Sequence, residues 1–299
     1  MSPLESLVDL GLVQRDVPLG PFTTYKSGGP ASFFADLQHK EDLDRLVSSQ
    51  IGSDLDILVL GRGSNLVVAD SGFPGLVIRL GGEFAQYEIE GNRISAGSAV
   101  PLPRLARATV EANVAGLEFF VGIPGSVGGA VRQNAGCLGS ETKDCLVQAD
   151  IVNLQTGEAR LANPEQLDLA YRHSNLDVSE IVTSARFVGR PGSLDAGKAE
   201  LLRITRWRKE HQPGGTLNAG SVFKNPEDVS AGELIDSLGL KGLSVGDVSV
   251  STKHANFFVA GPGASSTEIL QLMELVKSQV LSLSGTILEP EIQFVGFDR

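Results

Sequence analysis

The sequence is poor in residues that carry redox or metal chemistry unaided: two cysteines, Cys137 and Cys145, and four histidines stand in 299 residues. Two thiols cannot staple a chain of this length, and their spacing fits neither a zinc-ligand nor a Cys-x-x-Cys pattern. No metal site is expected. Long apolar runs are missing too. No segment approaches the ~20 apolar residues of a membrane span. The opening stretch, MSPLESLVDLGLVQRDVPLG, places acidic residues where a secretory signal would be basic and then apolar. A soluble, unexported, cytoplasmic protein without membrane contact is expected. Positive charge is scarce as well. The balance of 25 Lys and Arg against 36 Asp and Glu gives a formal charge of −11, which argues against nucleic acid or an anionic membrane as a general partner. Any anionic ligand must therefore be held by local donors.

Glycine is what the chain has in excess. Its 35 glycines exceed the ordinary ~7% of a globular protein, and they cluster. At this length more than one hydrophobic core is expected, because single cores stop growing before ~300 residues.

Residues 31–80 alternate strand and helix signals. ASFFADL reads as a strand; KEDLDRLVSSQ puts Leu43, Leu46 and Val47 on one helical face; LDILVLG is a short buried-strand run. GRGSNLVVADSGFPGLVIRLGG then returns at once to β-branched residues, giving strand, glycine turn, strand. A dinucleotide fingerprint needs a helix after its glycine turn and a third glycine where Leu66 stands, so a Rossmann unit is disfavoured. A Walker loop is excluded for want of a Lys-Ser or Lys-Thr pair. GRGSNL is either a plain turn between strands or a cradle whose successive backbone N–H groups bind phosphate.

Residues 101–115 predict an amphipathic helix with Pro near its start and Gly116 after it. In GLEFFVGIPGSVGGAVRQNAG, six glycines within 21 residues allow close approach of backbone to a ligand or to other backbone. LVQADIVNLQTGEARLA predicts a hairpin turning at Thr156-Gly157, and RPGSLDAGK predicts a linker or loop near a domain boundary. In the last hundred residues, Ser230 with Glu233 and Ser265 with Glu268 have capping-box spacing, and ANFFVA and EIQFVG supply strands. An α+β domain results.

Ser221, in NAGSVFKNP, is the candidate for chemistry. As a nucleophile it lacks the second glycine of a G-x-S-x-G elbow, and its base would have to come from His39, His173, His211 or His254 by folding. On this stretch alone a serine in a turn is the simpler account.

The strings TTYKSGGPA, LGRGSNLVVAD, GIPGSVGGAVRQNAG, YRHS, AGSVFKNP, KHANFFV and LEPEIQFVG, in that order, resemble the UDP-N-acetylenolpyruvoylglucosamine reductases, flavoenzymes of peptidoglycan synthesis. The match runs from about residue 23 to 296. The resemblance implies an α+β protein with a two-part FAD-binding region of the vanillyl-alcohol-oxidase (PCMH) type and a substrate-binding α+β domain after it. The expected divisions are 1–80, 81–195 and 196–299. Gly61, Arg62, Gly63, Ser64 and Asn65 would lie at the FAD pyrophosphate. The turn of Gly122, Ile123, Pro124, Gly125, Gly128, Gly129 and Ala130 would lie against flavin and diphosphate. NADPH would be the co-substrate and a nucleotide sugar the substrate, with no obligate protein partner.

The family reaction reduces an enolpyruvyl ether to a lactyl ether through an enolate. Arg172 of YRHS would hold the substrate carboxylate with its fork of donors. Glu291 would stabilise the enolate as a neutral acid. Ser221 would be the proton donor to the enolate carbon, a role that needs no histidine. Lys224 and Asn225 would lie near the nucleotide, with a structural role for Asn225 before Pro226 a comparable alternative. Cys137, where the family more often has a small residue, is a departure. The short stretch between YRHS and AGSVFKNP resembles the family's shorter subtype. Two rivals remain open from residues alone: an oxidase of the same fold, and a binding module without chemistry.

Overall fold

The computed structural model describes residues 3–50 and 52–297. Residues 1, 2, 51, 298 and 299, which fall within the expected divisions, lie outside the described residues. Seven α-helices are described: α1 (Pro3–Asp9), α2 (Lys40–Gln50), α3 (Leu102–Glu111), α4 (Val127–Gln133), α5 (Leu194–His211), α6 (Ala231–Ser237) and α7 (Ser266–Ser284). The chain forms two compact units built from interleaved segments. One comprises Met1–Arg15, Phe33–Gly61 and Gly75–Trp207; the other comprises Asp16–Ser32, Arg62–Pro74 and Arg208–Arg299.

The first unit has two cores. One gathers Leu37, Leu43, Leu46, Leu76, Ile78 and Phe84. It buries the α2 face that the sequence marks, since Leu43, Leu46 and Val47 all point inward. Its short strand Ile57–Val59 runs parallel to Phe73–Leu80. The other core lies under an antiparallel five-stranded sheet ordered Ala159–Ala162, Leu146–Asn153, Glu180–Val188, Arg93–Gly97, Tyr87–Glu90. There Phe120 meets Phe187 edge to face at 5.7 Å between ring centroids. Burying each phenylalanine removes enough apolar surface from water to contribute about 1.5–3 kcal/mol.

The hairpin turns where the sequence places it: Gly157 takes φ 75, and Asn153 Oδ1 accepts the amides of Gln155 and Thr156, both at 2.9 Å. Two expectations need correction. The helix expected over 101–115 stops at Glu111, because Asn113 takes the left-handed conformation (φ 60) and Val114–Ala115 pairs with Arg190–Pro191. RPGSLDAGK is not a linker. It contains that short strand and the first residues of α5, which begins at Leu194. Gly197 sits inside the helix because a Cβ there would stand 2.6 Å from Val110 Cγ1.

The second unit buries Phe223, Phe258, Val276 and Val280 together with Tyr25 and Val67. Its short sheet runs Ser244–Val245, Val248–Val250, Phe258–Ala260, and Leu66–Val68 pairs in parallel with Gln293–Val295. A strand thus follows GRGSN directly. Both capping signals fall at helix starts. Ser265 and Glu268 cap α7 reciprocally. At α6 Ser230 Oγ accepts the Glu233 amide at 3.1 Å, and Glu233 bonds the Ser230 hydroxyl rather than its backbone. Among the described residues no helix is long and apolar enough to cross a membrane.

Candidate active site

Within the first unit the two glycine-rich stretches meet. Gly61, at the end of the first, and Ser126, Gly128 and Gly129, where the second enters α4, line one cleft with Leu60, Ser98, Ala99, Arg132 and Glu180. The contact is close: a Cβ on Gly61 would stand 3.0 Å from Ser126 Oγ, and one on Gly128 would stand 2.9 Å from Ser98 Cβ. α4 begins inside what the sequence shows as a glycine-rich turn, so Gly128 and Gly129 lie in its first helical turn. Gly122, Ile123, Pro124 and Gly125 lead into this wall. A Cβ on Gly122 would stand 2.5 Å from Cys137 Sγ and 3.1 Å from Ile204 Cγ2. Ala130 is buried in the core.

One wall of the cleft is a charge network. Arg160 holds the buried Glu180 carboxylate with two bonds, at 2.7 and 3.0 Å. That pairing, opposed by partial burial and helped by the Asp177 amide, holds the Glu180 carboxyl below the ordinary range. Arg132 donates to the carbonyls of Leu176, Asp177 and Glu180. Burial pushes its guanidinium pKa down, against the attraction of Glu180 and Asp177. Ser98 adds a polar atom of another kind: its Oγ is buried in this wall and makes no hydrogen bond to the described residues. Such a group is costly until a ligand satisfies it.

Arg172 also belongs to the first unit. It is half-buried and left-handed, at φ 52. Its guanidinium reaches the Gly136 carbonyl at 3.5 Å and lies 5.0 Å from the Tyr171 ring centroid.

The second unit brings Ser221 and Glu291 together through backbone. Phe223 bridges Pro290 in antiparallel fashion. The Glu291 amide donates to the Val222 carbonyl at 2.7 Å, and the Lys224 amide to the Glu289 carbonyl at 2.8 Å. Both Ser221 and Glu291 are half-buried. Asn256, only 2% exposed, fixes the segment at Phe223. Its Nδ2 donates to the Phe223 carbonyl at 2.8 Å and its Oδ1 accepts the Phe223 amide at 2.9 Å. Lys224 Nζ lies 3.5 Å from Glu289 Oε2. Asn225 Oδ1 accepts the Ala231 amide at 3.0 Å, in the first turn of α6. His254 packs edge-on against Phe257 and accepts the Asn256 amide at 3.3 Å. Burial, then Lys241 and His211, push its pKa down.

The rest of the first glycine loop lies in this unit. Gly63 has φ +59, and a Cβ there would be 2.1 Å from the Phe22 carbonyl oxygen, so only glycine fits. Arg62 is exposed and Ser64 half-buried. Asn65 Nδ2 donates to the Glu291 carbonyl at 3.0 Å, and the Gln293 amide donates to the Asn65 carbonyl at 3.0 Å.

The cleft of the first unit fits FAD in kind. It has glycine walls that let a planar or phosphorylated group approach backbone, a buried hydroxyl in need of a partner, and an adjacent arginine. Ser98, Ser126, Arg132 and Glu180 were not marked by the sequence. Ser98 and Ser126 neighbour glycines, in AGS and GSVGG, and that adjacency is the one signal for them.

The FAD-binding domain profile matches residues 31–162. The profile of the UDP-N-acetylenolpyruvoylglucosamine reductase C-terminal domain matches residues 212–295. A UDP-N-acetylenolpyruvoylglucosamine reductase of Methylorubrum extorquens is 41% identical over 289 residues, covering 96% of this chain and 93% of that protein. One from Synechococcus is 39% identical over 99% of this chain and 97% of that protein. The crystal structure of UDP-N-acetylenolpyruvylglucosamine reductase from Thermus caldophilus superposes with a TM-score of 0.82 at 36% identity, covering 95% of this chain and 98% of that one.

Proposed function

This chain belongs to the UDP-N-acetylenolpyruvoylglucosamine reductase family and is a flavin-dependent oxidoreductase with FAD as its cofactor, and from that premise we propose that it reduces the enolpyruvyl ether of UDP-N-acetylglucosamine to the lactyl ether of UDP-N-acetylmuramate, with NADPH as reductant, in cytoplasmic peptidoglycan precursor synthesis. FAD, when bound, would supply hydride transfer between NADPH and the terminal vinyl carbon of the substrate. Gly61, Gly128 and Gly129 would admit the cofactor to the cleft, with Ser98 Oγ as a hydrogen-bonding partner. Arg62, Ser64 and Asn65, and the stretch from Gly122 to Gly125, would border it.

Arg172 holds the substrate carboxylate. Hydride arrival at the vinyl carbon sends negative charge to the carbon beside that carboxylate, and a guanidinium on the carboxylate stabilises the resulting enolate. Glu291, protonated, donates a hydrogen bond to the enolate oxygen. Ser221 gives its proton to the enolate carbon and takes one back from solvent, so one hydride and one proton are consumed for each substrate reduced. Lys224 faces the nucleotide's negative charge, while the bond from Asn225 to α6 supports a structural part for that residue. Two cofactor subdomains, 1–80 and 81–195, and a substrate domain, 196–299, are the division proposed along the sequence, and the cores cross it: Leu154 and Ile181 pack with the first segment, Ile204 with the second, and Tyr25 and Val67 with the last. The substrate is a small nucleotide sugar, with no nucleic acid, membrane or obligate protein partner.

The observation that supports this reading is the backbone pairing of residues 222–224 with 289–291, which sets the segment next to Ser221 beside the segment that carries Glu291. The test is anaerobic. FAD-loaded protein is reduced with NADPH, the enolpyruvyl substrate is added, and the flavin absorption band is followed. Oxidised flavin should return as lactyl ether forms. Ser221→Ala should slow that step by about 10²–10⁴-fold, the usual worth of general acid catalysis, and spare reduction by NADPH. Flavin that stays reduced until air is admitted would make the oxidase rival the better account.

A further inference from the structure

Arg172 holds a backbone conformation (φ 52) that costs a non-glycine residue about 1–2 kcal/mol, so its surroundings must impose it. It stands in a tight turn closed by two backbone bonds, Ala170 N–H to His173 O at 3.3 Å and His173 N–H to Ala170 O at 3.1 Å. The C-terminal end of α4 pins this turn on both sides. Asn134 Nδ2 donates to the Ala170 carbonyl at 2.9 Å, and Ser174 Oγ donates to the Arg132 carbonyl at 2.6 Å.

Asn134 is 0% exposed and ends α4 as a left-handed cap (φ 42). Its carboxamide is used at both ends: Nδ2 also donates to Glu141 Oε2 at 3.0 Å, and Oδ1 accepts the Lys143 amide at 2.9 Å. Two residues later the Gly136 carbonyl receives the Arg172 guanidinium. Only a hydrogen at Gly136 keeps that seat open, since a Cβ would stand 2.7 Å from the Ser140 carbonyl oxygen and 3.4 Å from Arg172 Nη1. The helix that ends here is the one whose first turn carries Gly128 and Gly129 on the cleft wall.

We infer that Asn134, assisted by Ser174, is a positioning residue for Arg172, fixing the turn that aims the guanidinium. This rests on the proposed role of Arg172 as holder of the substrate carboxylate. The chemistry requires an amide. Aspartate has nearly the same shape and tolerates the left-handed backbone, but it cannot donate to the Ala170 carbonyl and would face the Glu141 carboxylate with a second negative charge.

The experiment compares wild type, Asn134→Asp, Ser174→Ala, Arg172→Ala, and each positioning variant combined with Arg172→Ala. For each, FAD content, thermal midpoint, the rate of flavin reduction by NADPH, and KM and kcat for the enolpyruvyl substrate are measured. Asn134→Asp should raise that KM at least tenfold and slow flavin reoxidation, and Ser174→Ala should do so about threefold, while FAD content and flavin reduction stay within twofold of wild type. In the Arg172→Ala background both effects should vanish, because residues acting through one group are not additive. Loss of FAD and of both half-reactions in parallel, or full additivity with Arg172→Ala, overturns the positioning role. If Arg172→Ala leaves KM and reoxidation unchanged, the role of Arg172 falls and this inference with it. A normal loss in Arg172→Ala with Asn134→Asp and Ser174→Ala unaffected overturns the positioning alone. Should Asn134→Asp fail to fold, the Ser174→Ala cycle decides.

Discussion

Replacing Gly129 with alanine separates the intrinsic cost of a glycine from its use. Gly128 and Gly129 share the first turn of α4, yet their missing side chains point at different things. A Cβ at 128 would press on Ser98 at 2.9 Å, whereas at 129 the nearest atom is Ser126 Oγ at 3.8 Å, an ordinary contact. The apoprotein therefore has room for Gly129→Ala. Alanine is the better helix former by up to about 1 kcal/mol mid-helix, and about half of that near an end, so the apoprotein should gain roughly 0.5 kcal/mol, or about 1–2 °C in thermal midpoint at this size. Gly129 lines the cleft, and the added methyl would stand at that wall. With FAD packed against that wall, one surplus methyl costs about 1–3 kcal/mol, a roughly 5- to 150-fold loss of affinity. Deflavinated protein titrated with FAD by flavin fluorescence, beside melts of the apoprotein, reads both quantities. Gly128→Ala is the contrast: it should lower apoprotein stability, because Ser98 must move. If Gly129→Ala raises the midpoint and leaves FAD affinity within twofold, the cofactor does not pack on this wall, and the assignment of the cleft fails.

Asp70 supplies the first two amides of α7 with an acceptor, taking Ser266 N–H and Thr267 N–H at 2.9 Å each and the Thr267 hydroxyl at 2.6 Å. Partial burial opposes its ionisation, but the bonds from Thr267 and Ser266 outweigh this and hold its carboxyl below the ordinary value. A folded pKa below the unfolded one gives stability that is complete above about pH 4 and is lost as pH falls through the folded value. Asp70→Asn should thus cost about 1 kcal/mol at neutral pH, measured by urea denaturation, and the gap from wild type should close in acid; a gap that persists at the lowest pH where both proteins fold would contradict the charge argument. Asn256→Ala would orphan the buried N–H and C=O of Phe223, each worth about 1–3 kcal/mol. Denaturation should show a loss near 3 kcal/mol, and a loss under 1 kcal/mol would mean that the segment bearing Ser221 is held by something else.

What the sequence made legible was local. The α2 stripe, the Thr156-Gly157 turn and the two serine caps are each decided by residues within a few positions of one another, so pattern and structure coincide. α5 escaped because only Gly197 and Ile204 are buried along its 18 residues. A helix with so few inward-facing residues shows no stripe to read. Gly192 and Ser193 just before α5 and Gly197 in its first turn read as linker for the same reason: the packing of Gly197 on Val110 is a contact across more than eighty residues. Asn134 lay in plain view inside a matched string, but its bond to Ala170 spans 36 residues, and nothing in its neighbourhood announces it. The interleaving of the two units was equally hidden. Residues 16–32 and 62–74 join the C-terminal segment without any shift in composition to mark the crossings.

Glycine density, the strongest single signal in the chain, turns out to mix two demands. At Gly63 and Gly122 the missing side chain makes room for the protein itself, for the Phe22 carbonyl in one case and the Cys137 thiol in the other. At Gly129 it makes room for nothing that the protein supplies. A glycine points to a ligand only in this second case, where its Cβ direction is open and polar groups such as Ser98 Oγ border the opening. The loop from Gly61 to Asn65 contains both kinds of constraint in five residues. Gly61 faces the cleft, Gly63 is locked by backbone, and Asn65 spends its amide on the Glu291 carbonyl. The segment expected to border the cofactor is therefore the same segment that fixes the backbone of Glu291, and the register of Leu66–Val68 with Gln293–Val295 extends that tie along the parallel pair.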